Sequence, residues 1–338
     1  SPVFGDENSA VSFDKELSEN NIVTIQPDSL RILHNPLTGW VLYASMGVDA
    51  ADFWAQYDHM YIPELGHNVS VTDYAHTLYI RASWTDFNPQ EDVYGWKIDS
   101  NLRAYIEGAY QRNMRLAFRV VVDSRDKRTE FTPQFVKDAG AKGFMNKGKW
   151  SPYSDDPVFQ KYYTKFVKAL AKDFNDPSKV EFIDGCGLGK WGKYHTMIYS
   201  TGDDTPKKAV FDWVTDIYSQ AFDKVPVVIN YHRWIGAGKD WVDDEHFAAD
   251  SEEMLEEAIK KGYSLRHDAF GMTTYYGSWE RRFAEKYRNI CPIIMEGGWI
   301  VKSHNYWQDP RGYRKDSHED VRRGEFDDSK EAHVNMMD

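Results

Sequence analysis

A short apolar segment near the C-terminus ends in residue types that can do chemistry. Residues 291–299 read CPIIMEGGW, so a predicted buried strand is followed by a carboxylate, Glu296, two glycines and an indole, Trp299. Burying a carboxylate costs free energy, and Glu296 therefore needs either a partner or a function. A charged residue at the carboxyl end of a strand in a (β/α)8 barrel is typical of catalysis. The alternative is a structural ion pair with an Arg or Lys of a neighbouring strand.

A second candidate segment begins at Asp184, where the pattern predicts the end of the fourth strand. The turn that follows reads GCGLGKWGKYH, and it brings Trp191, Lys193 and His195 over the strand ends. A glycine-rich turn without a following Lys-Ser or Lys-Thr pair is not a phosphate-binding loop. The alternative is a tight turn whose indole only caps the barrel.

Further polar residues lie in, or directly after, other predicted strands. They are Arg81 with Trp84, Arg119, Asp268, and the pair Tyr231 and His232. An Arg inside a barrel strand commonly neutralises inward carboxylates, and the same Arg would hold a nucleophilic Glu ionised. Arg81 and Arg119 are therefore predicted to face the carboxylates of the site and to be among its substrate-binding residues.

Strand-like and helix-like segments alternate along the 338 residues, which predicts βα units and a parallel sheet. The fold class is α/β, and the predicted architecture is a (β/α)8 TIM barrel over residues 27–338. Residues 1–26 are predicted to form an extended lead-in. Seven strands are predicted near 40–45, 76–82, 116–122, 180–184, 225–230, 265–271 and 292–295, and residues 333–336 begin an eighth. Either the helix of the eighth βα unit is missing, or an N-terminal segment closes the barrel.

Charge and motifs exclude several classes of function. The net charge of −12 argues against nucleic acid and against an anionic membrane surface as partners. No apolar run approaches the roughly 18 residues that span a bilayer. His195, His232 and His267 form no zinc motif, and no serine-hydrolase elbow or dinucleotide fingerprint follows a strand. We predict neither a metal nor a cofactor.

Four segments together resemble a known group of proteins. They are NPLTGW at residues 35–40, Arg81 with Trp84 and the later Ile98-Asp99, GKWGKYH at 189–195, and MEG at 295–297. The chain is similar, over about residues 30–338, to DUF4832-type barrels of the glycoside-hydrolase superfamily, which are often found in polysaccharide-degrading Bacteroidetes-like gut bacteria. The wider relatives are retaining clan-A glycosidases. Their pattern implies a proton-donating Glu after strand four and a nucleophilic Glu after strand seven.

Glu296 matches the nucleophile position, but the chain departs from the pattern after strand four. The resembling turn reads Trp-Gly-Glu-x-His, and Lys193 stands here in place of the Glu. Either Asp184 or Asp268 supplies the proton, or Lys193 binds an acidic sugar, or the protein has lost hydrolysis and kept binding. We favour the first alternative, with Asp184 as first choice and Asp268 as second.

The leading hypothesis is thus a glycoside hydrolase that cleaves a polysaccharide or oligosaccharide with paired carboxylates at the carboxyl end of the barrel. Trp84, Trp191 and Trp299 are expected to stack on sugar rings, and His195, Tyr231 and His232 to bind sugar hydroxyls. The rival is a catalytically silent carbohydrate-binding barrel, and a third alternative is a metal-dependent lyase or isomerase. A start without Met or signal peptide fits a mature or trimmed exported protein, periplasmic or at the cell surface, and an arbitrary boundary of the sequence would look the same.

Overall fold

The structure is a computed structural model that describes residues 37–125, 129–238, 245–270, 276–297 and 318–337. The chain divides into two units, Ser1–His34 and Asn35–Asp338, and the first unit lies outside the described residues together with the predicted lead-in. Trp299 also lies outside them. The predicted roles of that residue and of the lead-in therefore stay predictions.

Eight parallel strands form a closed barrel, which confirms the predicted TIM-barrel fold. The barrel strands are β1 (Gly39–Tyr43), β4 (Ala75–Ser83), β5 (Arg115–Val121), β8 (Val180–Asp184), β9 (Val227–Asn230), β10 (Ser264–Phe270), β11 (Ile293–Gly297) and β12 (Met336–Met337). The last strand, β12, pairs with both β11 and β1 and so closes the barrel, with Met336 opposite Gly39. The eighth strand expected at residues 333–336 therefore exists and begins at Met336.

Two antiparallel hairpins lie outside the barrel sheet. They are β2 (Met60–Ile62) with β3 (His67–Val69), and β6 (Gly143–Asn146) with β7 (Lys149–Pro152). The second hairpin lies in the segment from about residue 123 to 154 that the sequence predicts as one long loop. This segment instead carries regular structure between β5 and β8.

Helices connect the strands and surround the barrel. They are α1 (Ala50–Asp58), α2 (Trp84–Phe87), α3 (Gly95–Ile98), α4 (Ser100–Gln111), α5 (Gln134–Asp138), α6 (Pro157–Phe174), α7 (Lys207–Ala221), α8 (Glu245–Lys260), α9 (Ser278–Tyr287) and α10 (His318–Glu331). Aspartates start several of them: the side chain of Asp99 accepts the amide of Leu102, and that of Asp156 accepts the amide of Phe159. These are the capping contacts that fix helix starts. No helix within the described ranges is both long and apolar enough to cross a bilayer.

The barrel has two apolar layers, one inside and one outside. Inside, the alternate residues of neighbouring strands pack on one another: Tyr79, Ala117, Phe182, Val228 and Ile294. Outside, the other strand residues pack against the helices in a larger cluster. This alternation decides which side chains can reach the centre of the barrel.

Trp84 belongs to the outer layer, so its prediction as a sugar-stacking residue is wrong. The side chain is fully buried, its ring lies 5.2 Å from that of Tyr163, and its Nε1 donates to Asn88 Oδ1 at 3.2 Å. The cause is local. Ser83 ends β4 by capping α2, and its hydroxyl accepts the amide of Asp86. The chain therefore turns into a helix at Trp84, and the indole packs between barrel and helices.

We expect Trp84→Ala to lower the free energy of unfolding by about 3–5 kcal/mol, because it empties a large, fully buried site. Urea unfolding followed by circular dichroism measures the change. The matched control is Trp40→Ala, since Trp40 is 58% exposed at the start of β1; this change should stay within about 0.5 kcal/mol. Equal, small losses in both variants would contradict the buried position of Trp84.

Candidate functional site

Charged side chains form a layer above the inner apolar layer, at the carboxyl end of the barrel. The strand pairing places them together, because Arg81 lies opposite Arg119, Arg119 opposite Asp184, and Asn230 opposite Arg266. We call this set the mouth cluster: Arg81, Arg119, Asp184, Asn230, Arg266, Asp268 and Glu296, with Lys193 from the turn after β8. Carboxyl ends of strands are where barrel enzymes carry their active sites.

Arg119 lies at the centre of the mouth cluster and is fully buried. Its Nε donates to Asp184 Oδ2 at 2.6 Å, its Nη1 to Asp268 Oδ2 at 3.3 Å, and its Nη2 to Asn230 Oδ1 at 2.8 Å. One guanidinium thus binds acceptors from three strands. The geometry shows that Arg119 neutralises inward carboxylates, which is the common role of an Arg inside a barrel strand.

Arg266 bridges two carboxylates of the cluster. Its Nη2 donates to Glu296 Oε2 at 3.0 Å, and its Nε lies 3.6 Å from Asp184 Oδ2. The guanidinium also lies over the ring of Tyr79, 4.5 Å from its centroid. Glu296 and Asp184 therefore share the guanidinium of Arg266, and Arg119 pairs with Asp184 as well.

The carboxylates differ in access. The side chain of Glu296 is 22% exposed, whereas those of Asp184 and Asp268 are 1% and 0% exposed. Within the mouth cluster, Glu296 is thus the carboxylate that a ligand can touch. Asp184 lies beneath the mouth and is covered by Arg119 and Arg266. It therefore does not face a ligand, contrary to the prediction that it donates the proton.

Asp268 is paired with Lys193 as well as with Arg119. Burial would raise the pKa of Asp268, but the two cations hold it well below its usual range. A carboxyl with a lowered pKa keeps no proton to donate near neutral pH. The prediction of Asp268 as an alternative proton donor is therefore wrong.

Lys193 lies where the resemblance implies a Glu, and its ammonium is directed at Asp268. Burial lowers the pKa of Lys193, and the attraction of Asp268 and Glu296 counters that effect. The backbone carbonyl of Lys193 is bound by His232 Nε2 at 2.7 Å. Lys193 is thus held by Asp268 at its side chain and by His232 at its backbone.

Trp191 is partly exposed beside this lysine. Its backbone has φ 58°, a left-handed conformation that is uncommon for a residue with a Cβ and that clusters at functional sites. The Nζ atoms of Lys190 and Lys193 lie 4.4 and 4.9 Å from its ring centroid. At Gly189, also in the left-handed region, a Cβ would come within 2.6 Å of the His195 carbonyl oxygen. This tight turn holds the indole at the mouth.

Three predicted sugar-binding residues are fully buried, so these predictions are wrong. Tyr231 points outward, where its hydroxyl bonds to that of Tyr276 at 2.9 Å. His232 uses both ring nitrogens, because its Nδ1 accepts the amide of Trp234 in addition to the contact with Lys193. His195 packs against the ring of His232 at 5.4 Å between centroids. Beyond the end of β9 the strand alternation no longer decides direction, and the loop folds back.

Two residues of the mouth cluster, Arg266 and Asn230, are not among the site residues predicted from the sequence. Arg266 is two residues before Asp268, and Asn230 ends β9. The signal was present, because residues i and i+2 of a strand share a face. No group of three or more His, Cys, Asp or Glu side chains in the described ranges is arranged to hold a metal ion.

The fold is similar to that of xylanases. An intracellular xylanase from Thermoanaerobacterium saccharolyticum, solved in complex with xylotriose, matches with TM-score 0.52 and 9% identity over 89% of this chain and 85% of the xylanase. Xylanase XynB from Paenibacillus barcinonensis, solved with a conduramine derivative, matches with TM-score 0.51 and 8% identity over 89% and 83%. No protein-family model matches the chain, and no curated protein matches it in sequence. The chain therefore shares the barrel fold of these two xylanases.

Stability should fall as pH falls from about 6.5 towards 3, because of buried histidines. Burial lowers the pKa of His267 to about 3, with Asp268 countering part of the effect. Between about pH 3 and 6.5 the unfolded chain binds a proton at this site that the folded chain does not. The loss is up to about 1.4 kcal/mol per pH unit for this group. Urea unfolding at pH 7.5, 6.0 and 5.0 measures it.

The variant His267→Gln should flatten this dependence, leaving the part due to His232, whose pKa is also lowered by burial. His246→Gln is the control, since the side chain of His246 is 79% exposed, and it should keep the full slope. An unchanged slope in His267→Gln would show that His267 takes up a proton in the folded protein.

Proposed function

We propose that this chain is a carbohydrate-binding barrel that keeps the fold of a glycoside hydrolase without its carboxylate-pair chemistry. The observation that carries the proposal is the ion pair of Lys193 with Asp268 at the strand-four position. The resemblance to DUF4832-type barrels, which is part of this proposal, implies a proton donor there. An ammonium paired with a buried carboxylate replaces it.

Glycoside hydrolysis requires two carboxyls in defined positions, and the mouth cluster can be compared with that requirement. A retaining glycosidase needs two carboxyls about 5–5.5 Å apart, and an inverting one needs about 6.5–9.5 Å. One of them must donate a proton to the leaving oxygen. In the mouth cluster, Asp184 and Asp268 are covered by cations, and only Glu296 is reached from outside. Among the residues that the structure describes, a ligand at the mouth thus meets one carboxylate of the cluster rather than two.

The surface for a sugar ring is Trp191. An indole offers a flat apolar face, and its loss at the centre of a binding site typically costs 2 kcal/mol or more. Xylotriose, which the xylanase of similar fold binds, is a rational first ligand to test.

We expect the purified chain to bind oligosaccharides without releasing products, and Trp191→Ala to weaken binding by about 10- to 100-fold. Isothermal titration calorimetry against a panel of oligosaccharides measures affinity, and chromatography of the same mixtures measures release. The control is Trp40→Ala, an exposed indole at the amino end of β1. Binding that is equal in both variants would remove Trp191 from the site.

We expect Lys193→Glu to confer detectable hydrolysis that wild type lacks. The new carboxyl would lie beside Asp268, and two carboxyls that share a buried site raise the pKa of one of them, as a proton donor requires. Lys193→Gln, which removes the ammonium without adding a carboxyl, and Lys193→Glu combined with Glu296→Gln should both stay inactive. Lack of activity in a folded Lys193→Glu variant on every bound glycan would show that Lys193 is not what silences the barrel.

A glycoside hydrolase with Glu296 as nucleophile is the second candidate. It is favoured by Arg266, whose Nη2 donates to Glu296 Oε2 at 3.0 Å and whose Nε lies 3.6 Å from Asp184 Oδ2, so that two carboxylates approach one guanidinium at the mouth. Product release by wild type that Glu296→Gln reduces by about 100-fold or more would establish this function in place of silent binding. Export to the periplasm or cell surface belongs to either proposal.

A further inference from the structure

The mouth cluster carries more positive than negative groups, although the whole chain has a net charge of −12. Its cations are Arg81, Arg119, Arg266 and Lys193, and its carboxylates are Asp184, Asp268 and Glu296. Asp184 is shared by two arginines, Asp268 is bound by Arg119 and Lys193, and Glu296 is bound by Arg266. Each carboxylate is thus compensated, and one cation is in excess.

The excess cation is Arg81. Among the residues that the structure describes, no carboxylate lies within ion-pair distance of it, and its Nη2 donates only to the backbone carbonyl of Trp191, at 3.3 Å. The residue is partly exposed, unlike the buried Arg119 opposite it on β5. A guanidinium has five N–H donors, so the contact with Trp191 leaves several of those of Arg81 without a partner among the described residues.

The position of Arg81 connects this charge to the sugar surface. The carbonyl that it binds belongs to Trp191, so the guanidinium is held at the backbone of the residue that carries the indole. The ammonium groups of Lys190 and Lys193 flank the same indole. A ring stacked on Trp191 would therefore lie among cations.

We propose that the mouth binds a glycan that carries an anionic substituent, with Arg81 binding the anion and Trp191 stacking on the ring. The anion is either the carboxylate of a uronic acid or a sulfate ester, since both present oxygens that a guanidinium binds in pairs. This inference rests on the proposed carbohydrate binding and specifies its ligand class. It also gives Lys193 a use, because a carboxylate there would repel such a ligand.

The test compares acidic oligosaccharides with neutral forms of the same chains. The probes are oligogalacturonides and glucuronate-bearing xylo-oligosaccharides, each with its carboxyl-reduced counterpart, and sulfated oligosaccharides with desulfated counterparts. Calorimetry should show that wild type binds at least one acidic series about tenfold or more tightly than its neutral counterpart, and that raising the salt concentration weakens only the acidic binding.

Arg81→Gln should remove this preference, so that the acidic and neutral forms of one chain bind with equal affinity. Arg81→Lys should keep part of it, because the charge remains and the paired geometry is lost. The control is Arg103→Gln on α4, whose side chain is 52% exposed and pairs with Glu107 on the outer surface. Circular dichroism checks that each variant is folded.

The outcomes separate this inference from the proposed function. Equal affinity for acidic and neutral chains, or a preference that survives in Arg81→Gln, overturns the anionic ligand and leaves carbohydrate binding intact. Absence of binding to every glycan overturns both. A preference for uronates alone or sulfates alone supports the inference and identifies the anion.

Discussion

The mouth of this barrel depends on the buried guanidinium of Arg119. It is fully buried, so every contact that water would make must come from the protein, and three strands supply acceptors for it. Removing one partner of such a buried pair typically costs about 3–5 kcal/mol, because the other charge is left uncompensated. Asp184 and Asp268 are consequently held in place as structural groups. Their carboxylate oxygens are already bound by Arg119 in the protein without a ligand.

Because Arg119 holds these carboxylates, their closeness at the strand ends and their ability to donate a proton are two separate properties. The sequence does not distinguish them. Carboxylates at strand ends satisfy the composition of a glycosidase site, and the Arg266 bridge keeps Glu296 close to Asp184. Proton donation also requires access and a carboxyl that retains its proton. Cations cover Asp184, and they lower the pKa of Asp268. Glu296 and Asp184 are thus brought near each other by Arg266, but the cations around Asp184 and Asp268 do not favour either of them as a proton donor.

The sequence predicted the barrel and most of its strands, because hydrophobic alternation repeats over each strand and needs no tertiary information. It also placed Arg119 and Glu296 correctly on the inner face. Prediction failed where the chain leaves a strand. Trp84 turns outward because Ser83 caps a helix, and His232 folds back to bind a carbonyl of a loop 39 residues earlier. Such directions are set by hydrogen bonds between distant segments, which a local pattern does not contain.

Lys193 connects the proposed loss of hydrolysis with the ligand we infer. It lies where the proposed resemblance implies a proton-donating Glu, and it places a positive charge beside Trp191. With Asp268 already bound by Arg119, this ammonium leaves the mouth with one cation beyond its carboxylates, and Arg81 is the one without a carboxylate partner in the described part of the chain. In an acidic protein a local excess of this kind concentrates the field at the cleft and discriminates ligands by charge. Under the two proposals, Lys193 therefore accounts both for the missing proton donor and for a mouth suited to holding an anion.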